Sequence, residues 1–211
     1  MKIKFLSGSI LFAAILFLTS CDLINDEGVG GSQSPIGEVG NTFSISTIPG
    51  LSGVSAEVTA LKDGKSTVTY NAEISDQTLL NMIKSMDGIS VSGNTVQRES
   101  TYRITSEGME SVYPEGTLTL VKYDARVGDV YSLKRGAVTM KREVTAVSSD
   151  DDFFWGGMMI KTIDVKETGR NIPGVSNILF RFNHKFGLVN IVVYFEDGTY
   201  SGGIIYSDNY N

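Results

Sequence analysis

Short runs in which apolar and polar residues alternate, separated by turns, constrain the fold of this chain more than any other feature. Apolar residues alternate with polar ones over residues 54–60 and again over 68–74. Residues 62–65 between them contain the Asp-Gly pair that is typical of tight hairpins. Comparable runs recur about every 8 to 15 residues towards the C-terminus. This spacing predicts a mainly β protein, with a curved antiparallel sheet that forms a half-open barrel or a sandwich.

One segment, residues 76–86, has the spacing of an amphipathic helix instead. Its apolar side chains recur three and four positions apart. They are Leu79, Met82, Ile83 and Met86. We therefore expect one short helix near 76–86 whose apolar stripe faces the core, and a methionine-bearing ligand face is the alternative.

The first 20 residues have the features of a secretory leader. Two lysines precede an apolar run over residues 10–18, which is shorter than the about 20 residues of a membrane-spanning helix. The following residues 18–21, Leu-Thr-Ser-Cys, resemble the lipobox of bacterial lipoproteins. The resemblance implies a lipoprotein signal peptide over 1–20 and a Cys21 that becomes acylated, with palmitate for example, at the mature N-terminus. An ordinary signal peptide with a chance cysteine is the alternative.

The leader also predicts the domain organisation and the location. Residues 21–42 would comprise the lipidated Cys21 and a flexible tether rich in Gly, Ser, Asn and acidic residues. Residues 43–211 would form a single β-rich domain, with a possible sub-boundary near residue 121, because most aromatic side chains follow that point. We expect a cell-envelope protein held to the outer membrane by its lipid, facing either the periplasm or the cell surface.

Composition argues against several classes of function. One Cys and one His are too few for a disulfide framework or for a site that needs two imidazoles. Loss of residues 1–20 removes two of 18 basic residues and none of 24 acidic ones, so the formal charge changes from −6 to −8. That charge disfavours a nucleic-acid partner.

Three adjacent carboxylates over 149–152 lack EF-hand spacing and fit a solvated loop better than a Ca²⁺ site. We expect neither a metal nor a cofactor.

His184 is the one histidine available as a general base. It lies between two predicted strands, in a segment with the composition of a turn, and no G-x-S-x-G motif accompanies it. We interpret it as a structural hydrogen-bonding residue and expect no enzymatic activity. A hydrolase that uses His184 with an acidic residue is the alternative, although a catalytic site requires several convergent groups.

Residues 153–160, Phe-Phe-Trp-Gly-Gly-Met-Met-Ile, place six large apolar residues around two glycines. Such a segment is either a strand that enters the core or an aromatic and methionine-rich wall for an apolar ligand. We predict a binding module for an apolar small molecule or an envelope protein, and a structural or interaction lipoprotein with a closed core is the alternative. The candidate ligand-binding residues are Met140, Trp155, Met158, Met159, Phe180 and Phe182.

Three short motifs over residues 122–131, 142–147 and 184–188 resemble those of Bacteroidetes-type lipoproteins of unknown function. The C-terminal part, roughly residues 120–206, is also similar to the half-open β-barrels of periplasmic lipoprotein carriers, which hold acyl chains in a curved sheet. The resemblance implies a barrel-like fold, and it carries over no catalytic residue.

Overall fold

The computed structural model describes residues 28–46, 51–75, 88–113, 116–135, 138–169 and 172–208, together with Gln77, Leu80 and Lys84. Within these residues the chain forms fifteen strands and a 3-10 helix over Pro35–Gly37. The strands are β1 (Thr42–Ile45), β2 (Leu51–Lys62), β3 (Lys65–Ile74), β4 (Ile89–Ser92), β5 (Thr95–Ile104), β6 (Gly108–Tyr113), β7 (Gly116–Lys122), β8 (Val130–Arg135), β9 (Val138–Val147), β10 (Phe153–Trp155), β11 (Met158–Ile160), β12 (Ile163–Thr168), β13 (Val175–Asn183), β14 (Gly187–Phe195) and β15 (Tyr200–Ser207). In the part of the chain so described, no helix combines the length and apolar character of a membrane span.

Twelve of the strands follow one another in a single antiparallel sheet. Their order is β7-β6-β5-β3-β2-β1-β15-β14-β13-β12-β9-β8, and β4 pairs with β5 beside this path. The two end strands, β7 and β8, approach within 8 Å between Cα atoms. The sheet therefore curves into a nearly closed barrel, which confirms the predicted mainly β, antiparallel fold. Strands β10 and β11 form a separate hairpin.

The hairpin of β2 and β3 is the one predicted from the sequence. Its two turn residues, Asp63 and Gly64, both have positive φ values, of 52° and 69°. A two-residue turn with two positive φ values matches the twist of the paired strands, which is why Asp-Gly is favoured there. Alternate side chains, including Val58 and Val68, are buried on one face of the pair.

The large sheet has two halves in chain order: β1–β7, and β8–β15 without the separate β10–β11 hairpin. They are joined where β1 pairs with β15, with Phe43 opposite Ser207. Residue 121 lies in β7, just before the connection that leads to β8. Apolar side chains from both halves pack into one core, in which Val58 faces the interior from the first half and Val165 from the second.

The segment before β1 differs from the predicted flexible tether over 21–42. Val29 and Ile36 are buried. The amide N–H of Ser34 donates to the Ile104 carbonyl at 2.9 Å. Gln33 forms an isolated antiparallel β-bridge with Thr105. From Gly28 onwards the chain is therefore docked on the barrel, because its apolar side chains cover the sheet and its backbone is hydrogen-bonded. Cys21 and the predicted leader lie outside the described residues.

Gln77, Leu80 and Lys84, within the predicted helix near 76–86, are α-helical. Leu80 is buried, whereas Gln77 and Lys84 are exposed, so this helix turns one side towards the core. The four residues of the predicted apolar stripe lie outside the described residues. Leu80 was not assigned to that stripe, although it borders it.

One irregularity in β9 changes which side chains face inwards. Val165 pairs with Val144 and Asp164 pairs with Ala146, so Thr145 is an extra residue, a β-bulge. The pattern of alternation alone would put Ala146 on the inner face with Val144. The bulge reverses the alternation, and Ala146 is exposed.

Candidate ligand cavity

A partly open cavity of about 110 Å³ lies in the barrel, between its two halves. Apolar side chains from both halves form most of its wall, among them Phe43, Ala56, Val68, Phe180, Phe182 and Leu188. Protein interiors normally contain few voids larger than a water molecule. A curved sheet of this many strands encloses more space than its own side chains fill, and the cavity is the remainder.

Two tyrosines provide hydroxyl groups at the cavity wall. The hydroxyl of Tyr70 on β3 donates to that of Tyr102 on β5 at 2.9 Å. Burial raises the pKa of both phenols, and the neighbouring Tyr102 raises that of Tyr70 further. Both groups therefore remain neutral at physiological pH, as hydrogen-bonding partners without charge.

Arg142 on β9 brings a charge to the cavity wall. It lies directly opposite Glu167 of β12 in the sheet, and its Nε donates to Glu167 Oε2 at 2.6 Å. The two side chains are 2% and 0% exposed. The guanidinium carbon lies 5.0 Å from the centre of the Phe180 ring, a distance at which a cation interacts favourably with an aromatic face.

Glu167 faces a second space as well. A polar cleft of about 230 Å³ lies beside the ends of β12 and β13, and Glu167 lines it together with Asn177 and Glu196. The ion pair of Arg142 and Glu167 therefore separates an apolar cavity from a polar cleft.

The structure brings two of the six candidate ligand-binding residues to the cavity. Phe180 and Phe182 lie two positions apart on β13, so both point to the inner face, and their ring centroids are 6.4 Å apart. Met140 is buried in the same core but does not line the cavity.

Trp155 lies in a different cluster. The β10–β11 hairpin places its buried indole against Phe186, with ring centroids 4.2 Å apart, and Ile160 and Val189 complete this small second core. Gly156 and Gly157 form the turn, with φ values of 55° and 89°. The glycine pair is needed for a tight hairpin turn, in which both positions have positive φ.

Met158 and Met159 are on the same hairpin and are both partly exposed. They are 40% and 48% exposed, and Phe154 beside them is 63% exposed. Met159 and Phe154 are paired on the face away from Trp155, as the alternation of a strand requires, whereas Met158 is paired with Trp155 and borders the Gly156–Gly157 turn. The segment 153–160 is thus partly a small core and partly an exposed apolar surface.

His184 and the acidic segment lie on the surface. His184 is exposed in the turn between β13 and β14, and its ring meets the edge of Tyr123 at 6.4 Å between centroids. The hydrolase alternative remains a prediction.

In the acidic segment, Asp150 accepts a hydrogen bond from Ser149, and Asp152 accepts one from Ser148. Among the described residues no three potential metal-ligating side chains converge.

Sequence reasoning missed the ion pair. Arg142 was visible as a basic residue on the otherwise apolar face of β9. Glu167 continues the alternation of Ile163 and Val165, which was the available signal for an inward-facing carboxylate. Only the register of β9 against β12 shows that the two residues meet.

Comparison of the chain with protein-family models, with curated proteins and with solved structures found no match.

Proposed function

We propose that this chain is a lipid-anchored, non-enzymatic protein of the cell envelope that holds an apolar ligand inside its barrel. The observation that carries the proposal is the apolar cavity of about 110 Å³. At about 24 cal/mol per Å³, an apolar group that fills a space of this volume contributes roughly 2–3 kcal/mol. Apolar cavities of about 150 Å³ exclude water and bind small hydrocarbons. A ligand that fills the space would gain this free energy.

The docked N-terminal segment supports the proposed location. Cys21 would be joined to the lipid, and the chain is held on the barrel from Gly28 onwards. The intervening chain spans at most about 25 Å even when fully extended. An anchored barrel would therefore lie close to the bilayer, where apolar molecules concentrate.

The anchor is tested by metabolic labelling with an alkyne analogue of palmitate. The wild-type chain should carry the label and remain with the membrane fraction. Cys21→Ala should lose the label and leave that fraction. Equal labelling of the two chains would contradict the proposed anchor.

The ligand is tested by organic extraction of the purified full chain, followed by mass spectrometry. Ala56→Phe places a ring in the cavity, whereas Ala146→Phe adds the same ring on the exposed face of β9. We expect an apolar molecule to co-purify with wild type and Ala146→Phe, and to be lost from Ala56→Phe. Ala56→Leu, a smaller change, serves if Ala56→Phe fails to fold by circular dichroism. Co-purification of the same molecule with all folded variants would contradict binding in the cavity.

A second candidate function, interaction with an envelope protein, is favoured by the exposed Phe154 and Met159 of the β10–β11 hairpin. Photo-crosslinking from position 154 in intact cells tests it. A discrete adduct that disappears in Met159→Ser would support the interaction function. Absence of any adduct at that position would count against it.

A further inference from the structure

We infer that the ligand of the cavity is an apolar molecule that ends in a carboxylate, and that the Nη edge of the Arg142 guanidinium holds this carboxylate. The inference rests on the proposed function, since it requires that the cavity binds a ligand.

Arg142 is incompletely hydrogen-bonded. Its Nε donates to Glu167, but among the described residues neither Nη1 nor Nη2 has a hydrogen-bond partner, although both atoms are buried. Buried polar groups in proteins nearly always have partners, so such a group requires an explanation. Arg142 also lines the cavity, which makes a molecule in the cavity the natural acceptor.

A second arginine on the same sheet shows what a purely structural pair looks like here. Arg181 donates from Nε and from Nη2 to the two carboxylate oxygens of Asp164, at 2.7 Å each. It lies half-exposed on the other face of β13, over Phe153. Arg181 thus donates two hydrogen bonds to one carboxylate. Arg142 donates only one, from Nε, and its Nη1 and Nη2 atoms have no partner among the described residues.

The chemistry of the Nη edge selects the ligand group. Guanidinium nitrogens only donate hydrogen bonds, so the bound group must offer acceptors. A carboxylate presents two oxygens in the geometry of the guanidinium fork and is attracted by its positive charge, so that Arg142 would lie between two carboxylates, that of Glu167 and that of the ligand. The rest of the cavity wall is mainly apolar, with Phe180 directly beneath the guanidinium, which suits a hydrocarbon chain attached to that carboxylate.

The experiment is calorimetric titration of the full chain, kept soluble in an amphipathic polymer, with octanoate, octanol and methyl octanoate at pH 7. We expect octanoate to bind at least about tenfold tighter than the two neutral molecules, which is the contribution of about one charge-assisted hydrogen bond. Equal affinity for all three would overturn the carboxylate assignment and leave the proposed function standing. Absence of binding by any of them would count against the proposed function itself.

Two sets of variants assign the effect to Arg142. The double variant Arg142→Met/Glu167→Gln removes the charge without leaving its partner ionised and buried, and it should abolish the preference for octanoate while keeping octanol binding. Glu167→Gln alone removes a nearby negative charge and should tighten octanoate but not octanol. The matched control Arg181→Met/Asp164→Asn should leave both affinities unchanged. A preference for octanoate that survives the first double variant would overturn the role of Arg142.

Discussion

Trp155 donates its indole N–H to the backbone carbonyl oxygen of Ile205 at 2.7 Å. This bond ties the β10–β11 hairpin to β15 of the barrel wall. The indole itself is fully buried against Phe186 and Tyr206. Trp155 thereby helps to fix the hairpin to the barrel.

Replacing Trp155 separates the hydrogen bond from the packing. Trp155→Phe should lower the free energy of unfolding by about 1–3 kcal/mol, because the Ile205 carbonyl loses its donor. Trp155→Ala should cost about 3–5 kcal/mol, because the ring is lost too. Urea unfolding followed by circular dichroism measures both. Phe154→Ala, the exposed neighbour, should change stability by less than about 0.5 kcal/mol, and an equal loss there would contradict the special role of Trp155.

The pair of Arg142 and Glu167 should show strong energetic coupling. Each single replacement by an uncharged residue removes the ion pair from a buried charge and should cost about 3–5 kcal/mol. The double replacement Arg142→Met/Glu167→Gln should recover much of that loss. A double-mutant cycle from urea unfolding measures the coupling. Additive losses would show that the pair does not compensate its own desolvation.

The buried tyrosines predict a loss of stability at high pH. The pKa values of Tyr70 and Tyr102 are raised in the folded barrel, so their stabilising contribution is complete below the unfolded value of about 10. It is lost as the pH rises through the folded pKa values. The free energy of unfolding should therefore decline above about pH 10, and Tyr70→Phe should make the decline less steep.

Denaturant unfolding between pH 8 and pH 11 checks this, with tyrosinate absorbance as a second signal. The control is Tyr200→Phe, since Tyr200 is 71% exposed. A decline of the same slope in wild type and Tyr70→Phe would contradict a contribution from the buried pair.

The docking of the N-terminal segment depends on Glu110. Its Oε1 accepts the amide N–H of Val29 at 2.7 Å, and its side chain is 1% exposed. Glu110→Ala should weaken folding by about 1–3 kcal/mol and should increase hydrogen exchange over residues 28–41. Glu99→Ala, at an exposed position of β5, should leave the exchange of that segment unchanged. Equal exchange in the two variants would show that the Glu110 contact does not hold the segment.

Much of the fold could be predicted because its signals are local. Alternation requires only that one face of a strand is buried, and the Asp-Gly pair at 63–64 fixes a turn by its φ values alone. The Gly-Gly pair of β10–β11 fixes its turn for the same reason. The docking of residues 28–41 was missed because a segment rich in Gly and Ser has no periodicity, and its few apolar side chains gain a partner only when the barrel surface exists.

The candidate site was only half predictable. Phe180 and Phe182 share a face of one strand, so their common direction follows from the period of two. Trp155 has the same apolar character, but it packs on the outer side of the sheet. Composition cannot distinguish the two faces of a covered strand, since both bury apolar side chains.

The sequence by itself determined that this chain forms antiparallel strands and where its tight hairpin turns fall. The tertiary structure alone decided that the sheet closes around a cavity, and that Arg142 meets Glu167 there with its Nη edge unbonded. The reason is physical. Alternation and turn geometry are properties of neighbouring residues, whereas strand register, bulges and closure depend on pairings between residues far apart in the chain.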